Sequence, residues 1–303
     1  MIDVIIDTDP GIDDALAIIL AVNSGRFNVH ALTTVAGNSP IGDTTANAEF
    51  LLSLLRREDI PLYSGARKPL QRDLVTAAVH GAGGLAGVRQ GGASRMTDDA
   101  AARIVEVVSE YPGEITLLVL GPSTNVARAI QLDAEAMSSV KEIVIMGGSL
   151  SGPGNMPHGA EFNVYVDPEA ANIVFKFPVR KTLVPLEACD PMRFRAEYFE
   201  ALHDDEIRSP ITQMVNGFSR ALLSLNHESD VAMYDPLTIY YAINPQAYEL
   251  APRRIDVGVD DFTDRGRTTG SQVAEAEAGD TVFVAESIDL EVFRRDFIEM
   301  LDR

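Results

Sequence analysis

Val4-Ile5-Ile6-Asp7-Thr8-Asp9-Pro10-Gly11-Ile12-Asp13-Asp14-Ala15 is the stretch around which the rest of the chain can be read. The β-branched run Val4 to Ile6 predicts a buried strand. Asp7 and Asp9 follow two residues apart, so in an extended chain both side chains leave one face. Pro10 and Gly11 break the strand, and Ile12, Ala15, Leu16, Ile19 and Leu20 then repeat at helical spacing. Asp13 and Asp14 fall in the first turn of that helix, where its dipole favours negative charge. Four carboxylates thus crowd one strand end and one helix start. They repel unless one takes up a proton or a cation lies among them. No Lys or Arg lies between Met1 and Arg26. A divalent cation held by oxygens alone, Ca²⁺ or Mg²⁺, answers the crowding; a solvated acidic helix start is the plainer alternative.

Composition narrows the partners. The chain has 303 residues and a formal net charge of -20. That disfavours nucleic acid and anionic membrane surfaces, and a multiply phosphorylated substrate. A neutral, polar small molecule fits better. The hydrophobic fraction of 46% suffices for a core. Cys189 is the single cysteine, so no intrachain disulfide forms and a reducing, cytoplasmic setting is expected. No basic region followed by a long apolar one opens the chain, and no apolar run reaches the ~18 residues of a membrane span.

Strand and helix patterns alternate. Strands are expected at Asn28 to Val35, Pro61 to Ser64, Ile115 to Leu120, Val140 to Met146, Thr182 to Val184, near Ile255 to Val259, and at Thr281 to Val284. Helices are expected at Asp43 to Arg57, Asp98 to Glu110, after Asn125, from Asp167-Pro168, over most of Ala196 to Leu225, from Asp235 to Ile243 and over Leu290 to Leu301. The order implies an α/β fold: one open, mainly parallel central sheet with helices on both faces. Without linker or repeat, residues 1–303 read as one domain. Ligands bind beyond the carboxyl ends of such strands. There lie Asp7 and Asp9, Asn38, Thr124 and Asn125, and a polar loop over residues 147–163. His80-Gly81-Ala82-Gly83-Gly84-Leu85-Ala86-Gly87 lacks dinucleotide-site spacing; it reads as a mobile loop over a pocket or as a plain surface loop.

Asp7-x-Asp9-Pro10-Gly11-x-Asp13-Asp14-Ala15 resembles the amino-terminal signature of nucleoside hydrolases of the inosine-uridine-preferring type. Further matches run from Asn38 to Asp235. The resemblance implies a single open α/β domain with a Rossmann-like core. It implies hydrolysis of the N-glycosidic bond of ribonucleosides, a Ca²⁺ cofactor, and a homodimer or homotetramer. It places Asp7, Asp9, Asp14 and Asp235 on the metal side, with the backbone carbonyl of Thr124 completing the shell. Asp9 matches the general base. Asp13, Asn38, Asn155, Glu161 and Asn163 match the ribose-binding set, and Phe162 between the last two is expected on the opposite face as a core anchor. His80 matches a histidine near the nucleobase. Taken alone, Asp235 reads as a helix cap, Asn155 as a turn residue and His80 as an exposed loop histidine.

One position departs from the family. Many members carry His immediately before the distant metal Asp, as an acid for the leaving group; here Met233-Tyr234-Asp235 presents Tyr234. A tyrosine can stack on a base, donate from its phenol, or simply pack. His158 and His227 are spare candidates. Two other readings compete. A strand ending in Asp-x-Asp also marks haloacid-dehalogenase-like phosphatases, and Asp260, Asp261 and Asp264 follow another strand; but Pro10-Gly11-x-Asp13-Asp14 is foreign to that class and no phosphate-binding Lys stands out. The other is a catalytically inactive, calcium-dependent ribose-binding protein, against which the intact Asp9 argues.

Overall fold

The structure, a computed structural model, describes residues 1–303 except 90, 92–93, 95–96, 98, 225–229 and 274–279. The chain opens as expected: β1 (Ile2–Thr8), α1 (Ile12–Asn23), β2 (Phe27–Thr34), α2 (Ile41–Leu54) and β3 (Leu62–Ser64). After single 3₁₀ turns at Ala78–His80 and Ala82–Gly84 come α3 (Ala100–Glu110), β4 (Thr116–Val119), α4 (Thr124–Leu132), α5 (Ala134–Met137) and β5 (Glu142–Met146). Then follow α6 (Phe162–Val166), α7 (Pro168–Lys176), β6 (Lys181–Val184), α8 (Leu186–Cys189) and β7 (Arg193–Phe194). The chain ends with α9 (Asp205–Ser224), β8 (Val231–Ala232), α10 (Tyr234–Ile243), β9 (Tyr248–Val257), β10 (Thr268–Gln272), β11 (Thr281–Ile288) and α11 (Leu290–Leu301).

Nine strands form one sheet in the order β10-β9-β11-β6-β5-β4-β1-β2-β3. From β11 to β3 every pairing is parallel; β9 pairs antiparallel with both β11 and β10. Alternation along β1 divides the core. Val4 and Ile6 join a cluster with α1, α10 and α11, whereas Ile5 joins one with α3, α4 and α7. The α/β class with helices on both faces is therefore as expected. The chain leaves β1 toward β2 and β3, then returns to the other side of β1 with β4. That reversal makes the carboxyl end of β1 the switch point, where such sheets place ligands.

Several expectations need correction. The strand read near Ile255 is ten residues long and starts at Tyr248; its half-buried, Arg-rich sequence hid the pattern. The edge strand β10 is exposed over four of its five residues and carries no apolar signal. The helix read over Ala196 to Leu225 breaks into a 3₁₀ turn at Ala196–Ala201 and α9. Phe162 does not alternate outward from a strand: it opens α6 and is only half-buried. Asp235 does not cap its helix, since α10 begins at Tyr234 with Met233 as N-cap. Asp98, Leu225 and His227 lie outside the described residues.

Candidate active site

The carboxyl end of β1 delivers its acids to different places. Asp7 shares the parity of Ile5 and points toward the α4 side, where its Oδ1 accepts from Thr33 Oγ1 at 2.6 Å and from Asn125 Nδ2 at 2.8 Å. Burial pushes its carboxyl up to about 7, against those two bonds. Thr8 has the other parity, and its hydroxyl donates to Asp14 Oδ1 at 2.5 Å. Asp9 lies just past the strand, fully buried. Its Oδ2 accepts from the Asn38 backbone N–H at 2.6 Å, and its Oδ1 is buried without a hydrogen-bond partner.

Asp14 is the best-satisfied acid of the group. It accepts from Thr8, from the Gly11 N–H at 2.9 Å and from Asn38 Nδ2 at 3.0 Å, an arrangement that also closes the first turn of α1. Asp13, Asp14 and Asp235 each place a carboxylate oxygen within 4.8 Å of the others. Burial, then the charge of Asp14, pushes Asp13 up to about 8. Burial, then Asp14, Asp13 and Asp9, pushes Asp235 well above the carboxylate range. Asp9 is raised by burial and then by Asp14. Taking each such charge out of water costs several kcal/mol unless it is compensated. Among the described residues no cation figures in the main causes of these shifts, and Asp7, Asp9 and Asp13 each keep a buried oxygen without a partner. An oxygen-liganded divalent ion fits such a donor set. At 2.3–2.6 Å per bond, opposite ligands of Ca²⁺ stand roughly 4.6–5.2 Å apart.

Glycine makes the crevice possible. A Cβ at Gly37 would stand 2.1 Å from Asp9 Oδ2, and one at Gly121 would stand 2.5 Å from Oδ1. One at Gly11 would meet Asn38 Nδ2 and His80 Nδ1, both at 2.7 Å. His80 is buried, accepts from the Ile12 N–H at 3.1 Å and packs on Phe218 with ring centroids 5.0 Å apart. Burial lowers its pKa to about 4, so the ring is neutral at pH 7. With Nδ1 accepting, its proton sits on Nε2. The glycine-rich loop is thus docked, with His80, Gly84 and Leu85 buried.

The remaining candidates divide. Glu161 is buried as N-cap of α6; its carboxylate accepts from the N–H groups of Gly148, Asn163 and Val164. Asn163 Nδ2 donates to the Leu120 carbonyl at 2.6 Å, which leaves its oxygen to accept. Thr124 turns its hydroxyl to Asp167 at 2.7 Å. Asn155 and His158 are exposed on the 147–163 loop, unlike the buried acids. Tyr234 is half-buried, and its phenol donates to Asp190 Oδ1 at 3.0 Å. The acids at 260, 261 and 264 sit on an exposed or half-buried loop where Asp260 bonds the Phe262 and Thr263 N–H groups and Asp261 pairs with Arg72.

Sequence reasoning placed Asn125 at a strand end without a role and gave none to Glu187 or Asn47. Asn125 bridges Asp7, the Thr34 carbonyl and the Ala66 N–H. Glu187 gathers Ser149 Oγ and the Ser151 and Gly152 N–H groups, holding the start of the 147–163 loop. Asn47 reaches both Pro10 and Gly83. Each is an ordinary polar residue in a helical stretch, and only long-range pairing reveals its part.

A family model described as inosine-uridine preferring nucleoside hydrolase matches residues 4–295. Uridine nucleosidase 1 of Arabidopsis thaliana is 35% identical over 80% of this chain and 74% of its own. The pyrimidine-specific ribonucleoside hydrolase RihA of Citrobacter koseri is 35% identical over 84% of this chain and 83% of its own. Among solved structures, a plant nucleoside hydrolase superposes with a TM-score of 0.91 at 32% identity, covering 99% of this chain and 98% of that one. A purine-preferring ribonucleoside hydrolase from Gardnerella vaginalis gives 0.90 at 26%, with the same coverage. These likenesses span the sheet and the crevice together and favour neither a phosphatase nor an inactive ribose-binding protein. The chain belongs to the inosine-uridine preferring nucleoside hydrolase family and is an enzyme that hydrolyses ribonucleosides.

Proposed function

We propose that residues 1–303 form one domain that cleaves the N-glycosidic bond of a ribonucleoside by attack of water activated at Asp9, with Ca²⁺ as resident cation. The observation that carries this reading is the buried, unpartnered Oδ1 of Asp9, whose charge reaches Asp235 in the acidic cluster. Asp9, Asp14, Asp235 and the Thr124 carbonyl would hold the ion, and Asp13 flanks them. Asp7, tied to Thr33 and Asn125, braces the strand end. A bound divalent cation supplies acidification of water and anchorage for ribose hydroxyls.

Asn38 fixes one oxygen of Asp9, so the other is the one that takes the proton of the attacking water. Glu161 and the oxygen of Asn163 accept from ribose hydroxyls, joined by Asp13 and Asn38. Asn155 joins when the 147–163 loop folds over the sugar. His80, neutral with its proton on Nε2, donates a hydrogen bond to the departing base rather than a full positive charge. Tyr234, next to Asp235 in the chain, offers its ring as a packing surface for the base.

Relatives named for uridine and for pyrimidine ribonucleosides share 35% identity over 80% and 84% of this chain. On that ground uridine is the best substrate. The lack of a membrane-length apolar helix among the described residues and the single buried cysteine support a cytoplasmic setting, and family resemblance supports a dimer or tetramer. The test is release of free ribose from uridine, cytidine, inosine, adenosine and guanosine, with and without Ca²⁺, beside a simple phosphate ester. Ribose from uridine first, only with the ion, is expected. Phosphate release without ribose would overturn the reading.

A further inference from the structure

We infer that Asn47 is a positioning residue that locks the turn next to Asp9 onto the glycine-rich loop bearing His80. The inference rests on the proposed roles of Asp9 and His80, but the tie itself is independent of them. Asn47 lies inside α2 and is fully buried. Its Nδ2 donates to the Pro10 carbonyl at 2.8 Å and to the Gly83 carbonyl at 2.8 Å. Its Oδ1 accepts from Arg89 Nε at 2.6 Å. A guanidinium only donates, so Arg89 must face the amide oxygen, and that fixes which way the amide points. Arg89 is itself held by Asp43 Oδ1 at 2.9 Å and by the Gly91 carbonyl at 3.1 Å.

Helix formation gives no reason for an asparagine here. Asn is a poor helix interior residue, and Ala48, Leu51 and Leu52 nearby are apolar core. What the position needs is a short group with two donors, set between two backbone carbonyls more than seventy residues apart in sequence. The loop is shaped to receive it: Gly84 has φ +84°, and a Cβ there would stand 2.9 Å from Asn47 Nδ2. A second tie lies across Gly11, where the Ile12 N–H donates to His80 Nδ1. Pro10 and Ile12 are therefore both fastened to residues 80–83, and Asp9 precedes Pro10 directly. Asn47 acts through that backbone on the base and on the histidine at once.

Amide hydrogen exchange and steady-state kinetics on Asn47→Ala, Asn47→Ser and wild type test this. In Asn47→Ala, exchange over residues 10–14 and 80–86 should quicken at least tenfold while β4 and β5 keep wild-type protection. The kcat for uridine should fall at least tenfold. The thermal shift on adding Ca²⁺ should persist, because Asn47 bonds Pro10, Gly83 and Arg89 and none of the cluster carboxylates. Asn47→Ser, with one donor, should lie between. Arg89→Met keeps both donor bonds of Asn47 but frees its amide to turn, and it also removes the bonds to Asp43 and Gly91, so it should show the same local pattern more weakly; it carries the test if Asn47→Ala does not fold. Unchanged exchange in both segments, or exchange that quickens everywhere in step with a lowered melting temperature, would overturn the inference. A wild-type protein without turnover would strike instead at the proposed function, and exchange would still decide the role of Asn47.

Discussion

Gly37 stands so close to Asp9 that a methyl group on it would lie 2.1 Å from the Asp9 Oδ2. That oxygen is the one held by the Asn38 N–H, so the contact and the hydrogen bond fix the same atom. Gly121 closes on the other oxygen. Gly37→Ala must therefore turn the carboxylate or move the backbone. Overpacking of this kind costs typically 1–3 kcal/mol of stability. Turnover should drop by about 10²-fold or more, beyond what the lost stability explains, as read by kcat beside the melting temperature.

Asp9→Asn keeps the shape and removes the proposed proton acceptor. A positioned base contributes ~10²–10⁴ in rate, and kcat should fall by that much while the fold persists. In metal-stripped protein the variant should melt no lower than wild type, because a buried, uncompensated charge has gone. Activity within a few-fold of wild type would remove Asp9 from the chemistry.

Protons on the carboxyls around the proposed ion site oppose the binding of a cation there. In stripped protein burial pushes Asp7 up to about 7, and burial with the charge of Asp14 pushes Asp13 up to about 8, both from an ordinary 3.8. Between those values the folded state binds more protons than the unfolded one, so stability falls as pH rises. The contribution is complete below 3.8 and lost as pH passes through 7 and 8. Thermal melts of stripped protein should therefore decline from pH 5 to pH 8. The increment from added Ca²⁺ should grow over the same range by mass action. A calcium increment independent of pH would contradict this.

Tyr234 commits its single phenolic proton to Asp190. Burial, and then the charge of Asp190, raise the phenol above its usual range. Such a group is a poor acid for a leaving base. Tyr234→Phe should keep turnover of uridine within a few-fold, whereas Tyr234→Ala should lose the ring contact, worth about 0.5–1.5 kcal/mol beyond buried area, mainly in KM. A loss of 10²-fold in Tyr234→Phe on uridine, spared on p-nitrophenyl riboside, would reinstate the phenol as the acid.

The sequence alone determined the sheet-and-helix order, the acidic strand end and the place of the site beyond the strands. Each is written in short-range pattern: β-branched runs, helical spacing of Ile12, Ala15 and Leu16, and four carboxylates within eight residues. Only the tertiary structure decided what each carboxylate does. Strand parity sends Asp7 to Asn125 and Thr8 to Asp14, and packing brings Asp235 to Asp13 and Asp14 across more than two hundred residues. The same holds for His80, whose loop looks unstructured in sequence yet is docked by Asn47, Ile12 and Phe218. The edge strand β10 and its neighbour β9 were blurred because exposed and half-exposed strands lack a clear apolar pattern. Local periodicity reports which face is buried, whereas burial cost and hydrogen-bond partners depend on what the fold places opposite, and that information is not local in the chain.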